Sequence, residues 1–134
     1  MLTAINIYHV DIHQHVPKLE PALAQRLEAL TGEDAACCVA DYTDIIASAR
    51  RTPAFSQALL RAKAMSDEKR LTALALVKRK GEMCACEIQA ALDLSHGTVS
   101  HHMTTLEEAG LVTVERRGRW AHYAITKETK EMIP

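Results

Sequence analysis

The chain has 134 residues, of which 48% are hydrophobic and 25% charged, and this suits one ordinary soluble domain or a small domain with an extension. No stretch approaches the roughly 20 apolar residues of a membrane helix, and the first residues lack the pattern of a secretion signal, so we expect a cytoplasmic protein with no membrane partner. The net charge of −1 argues against a general polyanion binder.

The charge is distributed unevenly. Residues 1–60 carry 4 basic and 7 acidic side chains, whereas residues 61–134 carry 12 basic and 10 acidic ones. Because the excess in the second part is small, any contact with nucleic acid must come from the local placement of charge.

Residues 1–52 are predicted to form an N-terminal extension. Alternation over residues 6–10 indicates a short strand or arm, and His9, His13 and His15 lie in or beside it. These histidines are read either as scattered surface residues or as a second metal site.

Two helices are expected in the rest of the extension. The first covers residues 22–30 and is closed by a Thr-Gly pair. The second runs from 33 towards 51, because four apolar positions share one helical face. These positions are Cys38, Tyr42, Ile45 and Ala49.

Residues 53–126 show the order of a winged helix-turn-helix. A helix after Pro53 places Phe55, Leu59, Ala62 and Met65 on one stripe. A second helix begins at residues 66–68 and ends at 78–81. A short helix to residue 92, a turn, and a helix capped by Ser95 follow. Strands over 111–115 and 120–125, joined by a basic turn at 116–119, then form a β-hairpin.

The predicted fold class is therefore mainly α with a small β-hairpin: a winged helix-turn-helix with an N-terminal helical extension and a short C-terminal tail at 127–134. In such domains the second helix of the pair enters the major groove, and basic residues of the wing meet phosphates or the minor groove. A solvated polar face is the alternative for each part alone. The candidate contacts to double-stranded operator DNA are Ser95, His96, Thr98, Ser100, His101, Thr104, Arg116, Arg117 and Arg119.

The four cysteines, at positions 37, 38, 84 and 86, should be reduced in the cytosol. Cysteines there bind metals or take part in redox chemistry more often than they form a disulfide framework. Cys84 and Cys86 stand at the start of the short helix. Residues two apart in a regular helix point about 200° apart. Both sulfurs therefore reach one ion only if the helix start is frayed or extended, and binding would then pull on its first turn.

Five ordered segments resemble motifs of the ArsR/SmtB family of metal-responsive repressors. They are residues 60–71, 82–88, 94–103, 106–112 and 118–123. The resemblance implies a homodimeric repressor that binds an operator and is released by a bound effector. It also implies that Cys84 and Cys86 are effector ligands.

The chain departs from the arsenic-sensing form of that motif, because Gln89 stands where a third cysteine is expected. Cys37 and Cys38 are candidates to complete the site, in the same or the partner subunit, as some family members borrow thiols from an N-terminal segment. Little room remains before Pro134 for a C-terminal dimer helix, so dimerisation is expected to involve the N-terminal helices.

The sequence thus predicts a repressor released by a thiophilic ion such as As(III), Sb(III), Cd(II), Pb(II) or bismuth. A redox or persulfide-sensing repressor of the same fold is the alternative. A thiol enzyme is disfavoured, since the chain has no Gly-rich cofactor loop and no Cys-x-x-Cys. A purely structural role is the alternative for Cys38, as a small core residue, and for the Cys84–Cys86 pair. His102 is expected to be a structural hydrogen-bonding residue.

Overall fold

The computed structural model describes residues 18–134, so the predicted arm and the histidines at positions 9, 13 and 15 lie outside the described residues. The chain divides into two compact units, one ending at Thr52 and the other covering Pro53–Pro134. Within the described part, no helix is long and apolar enough to cross a membrane.

The N-terminal unit is a pair of helices, α1 (Pro21–Thr31) and α2 (Ala35–Arg50). Proline at the first position suits a helix start because its missing N–H has no intrahelical partner there. Gly32 ends α1 in the left-handed conformation, and Asp34 caps α2 by accepting a hydrogen bond from the Cys37 N–H at 3.1 Å. Both predicted helices are confirmed to within two residues at each end.

Within residues 18–134, the apolar stripe predicted for α2 is not packed into a core. Its only buried residues are Ala35 and Cys38, while Tyr42 is 46% and Ile45 65% exposed. Two helices alone enclose little volume, so only the start of α2 is covered by α1. The Tyr42–Ile45 face is left uncovered within the described residues.

The second unit begins with two helices joined by a tight capped turn, α3 (Pro53–Met65) and α4 (Glu68–Lys80). Asp67 caps α4 by accepting from the Arg70 N–H at 2.9 Å. The Arg70 side chain in turn donates to the Ala64 carbonyl at the end of α3, at 2.6 Å. Asp67 therefore accepts from a free N–H at the start of α4, and Arg70 donates to a free carbonyl at the end of α3. This pairing explains the spacing of the two residues in the motif at 60–71.

The stripe predicted on α3 is also largely uncovered. Phe55 is 43% and Leu59 47% exposed, whereas Ala64 is buried at 3%. The side of α3 that packs on α4 and on the later helix is thus offset from the stripe that periodicity indicated.

The rest of the unit is the helix-turn-helix and wing. Strand β1 (Glu82–Cys84) leads into α5 (Ala85–Leu92), then α6 (His96–Glu108), β2 (Val112–Arg117) and β3 (Trp120–Ile125). The antiparallel sheet has the order β1-β3-β2. The predicted hairpin is confirmed, but the sequence did not indicate β1, because three residues are too few to show alternation.

The core of this unit lies between the helices and the inner face of the sheet. Leu74, Met103, Leu106 and Leu111 are fully buried there. Residues after the hairpin join the same core: Thr129 is 0% exposed and Ile133 5%, and Lys78 Nζ donates to the Ile133 carbonyl at 2.7 Å. The segment expected to be a short tail is therefore a packed part of the unit.

Candidate nucleic-acid interface and thiol site

Helix α6 presents a polar surface because its apolar residues are buried in the core. Val99, Met103 and Leu106 are at most 1% exposed. The opposite face carries exposed polar side chains near the start of the helix, the end that enters a major groove in helix-turn-helix proteins. These exposed residues are His96, Thr98, Ser100, His101 and Thr104.

Ser95 acts as the cap of this helix. Its Oγ accepts from the Thr98 N–H at 3.2 Å and forms a hydrogen bond with Thr98 Oγ1 at 2.9 Å. Both hydroxyls are therefore engaged with each other, and a contact with DNA would share or replace this bond. His96, Ser100 and His101 have no such commitment among the hydrogen bonds of residues 18–134 that involve their side chains.

The far end of α6 is held by α3. Gln57 Nε2 donates to the Ala109 carbonyl at 2.8 Å, and Arg61 Nε approaches the same oxygen at 3.4 Å. These two hydrogen bonds fix the orientation of α6, and no local sequence pattern predicted them. The expectation for His102 is not met, since its buried Nδ1 has no hydrogen-bond partner within the described chain.

The wing separates the two adjacent arginines, Arg116 and Arg117. The turn is a two-residue loop, because Arg117 pairs with Trp120 in the strand register and Gly118 supplies the positive φ of 65° that such a loop requires. Both arginines therefore belong to β2 rather than to the turn. Successive strand residues point to opposite faces of a sheet, so their environments differ.

Arg117 is neutralised by carboxylates. It forms a two-bond ion pair with Glu82 of β1 at 2.6 and 3.1 Å and contacts Glu115 at 3.1 Å. These bonds raise the pKa of Arg117 and hold the pKa of Glu115 below its usual value. His122 Nδ1 lies 3.4 Å from Glu82 on the same face. Arg117 thus ties the wing to the strand that carries Cys84.

Arg116 and Arg119 are arranged differently. Neither has a carboxylate within ion-pair distance among residues 18–134. The Arg119 guanidinium lies over the ring of Trp120, 5.1 Å from its centroid, a favourable cation–π arrangement. Their positive charge is therefore available to an external anion.

The two thiols of the Cys84–Cys86 pair meet without any fraying of α5. Cys84 is the last residue of β1 and the residue before the helix, with extended backbone angles of φ −71° and ψ 149°. Its sulfur lies 2.9 Å from Cys86 Sγ. The Glu87 carboxylate accepts from the Cys84 N–H at 2.8 Å and stabilises this start. The condition for sharing one ion is met by the strand, so the predicted pull on the first helical turn is not needed.

The thiol pair is chemically suited to a soft ion. Two sulfurs on a tetrahedral ion with bonds of about 2.3 Å stand about 3.8 Å apart, so a small opening of the pair would suffice. Within residues 18–134, no group of three or more His, Cys, Asp or Glu side chains is placed to hold a metal. The pair could therefore supply two ligands to such an ion, whose remaining positions would be left to other donors.

Protonation of the pair differs from that of an activated cysteine. The hydrogen bond that Cys86 donates to Cys84 Sγ raises the pKa of Cys86, with a smaller contribution from burial. Cys86 is exposed whereas Cys84 is 7% exposed. The raised pKa of Cys86 is opposite in direction to the lowered pKa that the redox hypothesis expects for a thiol at the helix start.

The other two cysteines lie in the N-terminal unit. Cys38 is 3% exposed, with its sulfur 3.6 Å from Thr31 Oγ1 and 3.7 Å from a Glu33 carboxylate oxygen. Cys38 is therefore enclosed within the helix pair, with its thiol hydrogen-bonded to polar groups. Cys37 is exposed, and the nearby Asp41 carboxylate is the main cause of its raised pKa.

A pocket of about 480 Å³ lies in front of Cys86. Gln89, at the position of the missing third cysteine, faces it from the next turn of α5. The remaining wall combines residues of α6 with residues of the wing. Its lining is Ala85, Cys86, Gln89, His96, Ser100, Arg116, Arg119, Trp120, Ala121 and Tyr123.

A capped helix pair followed by a β-hairpin with free arginines defines a winged helix-turn-helix domain. Residues 67–114 match the family of bacterial regulatory proteins described as the arsR family. An uncharacterized HTH-type transcriptional regulator of Methanocaldococcus jannaschii is 39% identical over 72 residues, which are 53% of this chain and 81% of that protein. The chain belongs to the ArsR family, which confirms the resemblance.

Two further proteins place the chain within this family. The arsenic resistance transcriptional regulator ArsR1 of Pseudomonas putida is 35% identical over 71 residues, which are 53% of this chain and 56% of that protein. The chain therefore spans little more than half the length of that regulator. The homodimeric winged helix-turn-helix DNA-binding domain of a Mycobacterium bovis protein superposes with a TM-score of 0.53 at 28% identity, covering 57% of this chain and 70% of that one.

Proposed function

We propose that this protein is a homodimeric transcriptional repressor that binds operator DNA and is released by a thiophilic metal or metalloid ion held by Cys84 and Cys86. The observation that carries the proposal is the 2.9 Å approach of the two sulfurs at the junction of β1 and α5. Cys84 and Cys86 are the only cysteines among residues 53–134.

The DNA-binding part of the proposal rests on α6 and the wing. The exposed polar start of α6 supplies groups that can read base edges, and Arg116 and Arg119 supply charge for phosphates. Arg117 is left out of this set, because its charge is already balanced by Glu82 and Glu115. The proposed DNA-contacting residues of α6 are His96, Ser100, His101 and Thr104, with Ser95 and Thr98 as the cap.

The proposed inducer is As(III), Sb(III), Cd(II), Pb(II) or Bi(III), since these ions prefer sulfur ligands. The similarity to a regulator named for arsenic resistance supports a metalloid. Two protein thiols leave at least one ligand position open, for solvent, for Gln89 or for Cys37 of either subunit. Cys38 is a weaker candidate, because it is buried and its thiol is already hydrogen-bonded to Thr31 and Glu33.

A redox-sensing repressor is the second candidate, and the same short sulfur–sulfur distance favours it. Two-electron oxidation by a peroxide would join Cys84 and Cys86 with loss of two protons. The raised pKa of Cys86 opposes a fast reaction of this kind, because the thiolate is the reactive form.

The proposed dimer would cover apolar side chains that stand exposed on the helices of each unit. Phe55, Leu59 and Leu60 on α3 are each more than 40% exposed, as are Tyr42 and Ile45 on α2. The homodimeric state of the Mycobacterium bovis domain supports the association of two copies.

A titration of the reduced, full-length protein on its duplex tests the proposal. A fluorescent duplex selected by the protein from a random-sequence pool would be titrated with arsenite, antimonite, cadmium, lead and bismuth, with fluorescence anisotropy and sulfur-to-metal absorption as readouts. At least one ion should release the duplex and bind sulfur. The Cys37→Ser/Cys38→Ser variant, run in parallel, decides whether the N-terminal thiols take part. Release by hydrogen peroxide in the presence of a chelator, with no response to any ion, would establish the redox candidate instead.

A further inference from the structure

The pocket in front of Cys86 is lined by two sets of residues with different proposed partners. His96 and Ser100 of α6 and Arg116 and Arg119 of the wing belong to the surface proposed to meet DNA, whereas Cys86 belongs to the proposed ion site. These sets share one cavity of about 480 Å³ rather than occupying separate faces of the domain. That volume accommodates a phosphodiester group together with its water.

The charges around the pocket favour an anion. Arg116 and Arg119 have no carboxylate within ion-pair distance in residues 18–134. Arg117, on the opposite face of β2 from Arg116, is paired with carboxylates. The hydroxyl of Ser100 is exposed on the α6 side of the pocket. Two free guanidinium groups beside a hydroxyl donor form the usual chemistry of a phosphate contact.

We propose that this pocket is a phosphate-binding subsite of the DNA interface, and that an inducer bound to the Cys84–Cys86 pair releases DNA by occupying it. The inference rests on the proposed function and adds its physical route. Ion and phosphate compete for one space, so release requires no rearrangement of α5.

The burial of the two sulfurs gives the direction in which a bound ion extends. Cys84 is buried at 7% exposure and does not line the pocket, whereas Cys86 is exposed and does line it. An ion held by both sulfurs would be accessible from the Cys86 side, and its other ligands would then occupy the pocket that Cys86 lines. The extended backbone at Cys84 already brings the sulfurs together, which removes the need for unwinding as the release step.

The test introduces groups of graded size and charge on Cys86 without any ion. A variant with Cys86 as its single thiol (Cys37→Ser, Cys38→Ser and Cys84→Ser) would be treated with methyl methanethiosulfonate or with 2-sulfonatoethyl methanethiosulfonate. Its affinity for the selected duplex would be compared with that of the same variant before treatment. A matched variant whose single thiol is the exposed Cys37 receives the same reagents and is likewise compared with its own untreated form.

The sulfonatoethyl group on Cys86 should weaken duplex binding by about tenfold or more, because it places an anion in the pocket against the phosphate. The small S-methyl group should have a much weaker effect, and neither adduct on Cys37 should change the affinity. Equal affinity with and without the sulfonatoethyl group would overturn the proposal. Since the untreated variant must bind the duplex for the comparison to be made, failure of the DNA-binding function itself is seen separately.

A second measurement uses the wild-type chain and does not depend on the folding of a multiple variant. The duplex should slow alkylation of Cys86 by iodoacetamide about tenfold or more at saturation, while Cys37 reacts at an unchanged rate, as followed by fragment mass spectrometry. Equal rates for Cys86 in the free and the bound protein would show that the pocket is open in the complex and would contradict the proposal.

Discussion

The opposite environments of Arg116 and Arg117 lead to a quantitative prediction for salt dependence. If Arg116 neutralises one phosphate, replacing it with alanine should reduce the slope of log affinity against log salt by about 0.9. Over a fourfold change in salt this slope difference amounts to about 3.5-fold in affinity. Arg117 is already paired at 2.6 Å with Glu82 and at 3.1 Å with Glu115, so it should contribute no comparable term.

The control for this prediction keeps the net charge constant. Replacing Arg117 alone would leave two carboxylates unbalanced near the duplex, so we pair Arg117→Ala with Glu82→Gln. Fluorescence anisotropy with one duplex at four or more salt concentrations gives the slope for wild type, for Arg116→Ala and for the double variant. The wild type and the double variant should share one slope. A reduced slope for the double variant, with Arg116→Ala unchanged, would refute the assignment of the two arginines.

Four other predictions follow from the described contacts. Ile133→Ala should cost about 2–4 kcal/mol in urea unfolding, because the side chain is 5% exposed in the core; a cost near zero would make the segment after β3 a loose tail. Gln89→Cys adds a third sulfur at the pocket and should raise arsenite affinity by on the order of 10²-fold, as a third tethered ligand would; unchanged affinity would place residue 89 outside the site. Cadmium affinity should rise about tenfold or more per pH unit near neutrality, because the raised pKa keeps Cys86 protonated and the ion must displace that proton, whereas arsenite releases water on binding thiols and should show no such rise. Asp67→Asn should lower stability at neutral pH, and the difference should vanish in acid: the hydrogen bond from the Arg70 N–H lowers the pKa of Asp67, so its contribution is complete above the unfolded-state pKa and is lost as the pH falls through the folded-state value.

Much of the fold was predictable because its signals are local. The caps at Asp67 and Ser95 and the apolar spacing of Val99, Met103 and Leu106 specify α4 and α6 from neighbouring residues alone. The alternation on both sides of Gly118 specifies the hairpin in the same way. Each of these elements lies within two residues of its expected bounds.

The parts that were missed depend on contacts between distant residues. Strand β1 exists because Met83 pairs with Tyr123 across the sheet, and no three-residue pattern announces such a pairing. The contact between Glu82 and Arg117 spans 35 positions, and the hydrogen bond from Gln57 to the end of α6 spans 52. The stripes on α2 and α3 misled for a related reason, since periodicity identifies an apolar face but does not show whether other residues of the chain cover it.

The most direct test of the central claim compares DNA release from wild type and from Cys84→Ser. Both are titrated with the ion that releases the wild-type complex most effectively. Cys84 points into the junction of β1 and α5 rather than toward the duplex, so both proteins should bind the selected duplex with similar affinity in the presence of a chelator. On titration with the ion, followed by anisotropy, wild type should release the duplex and Cys84→Ser should stay bound. Release of Cys84→Ser at the same ion concentration would contradict the assignment of the Cys84–Cys86 pair as the sensing site.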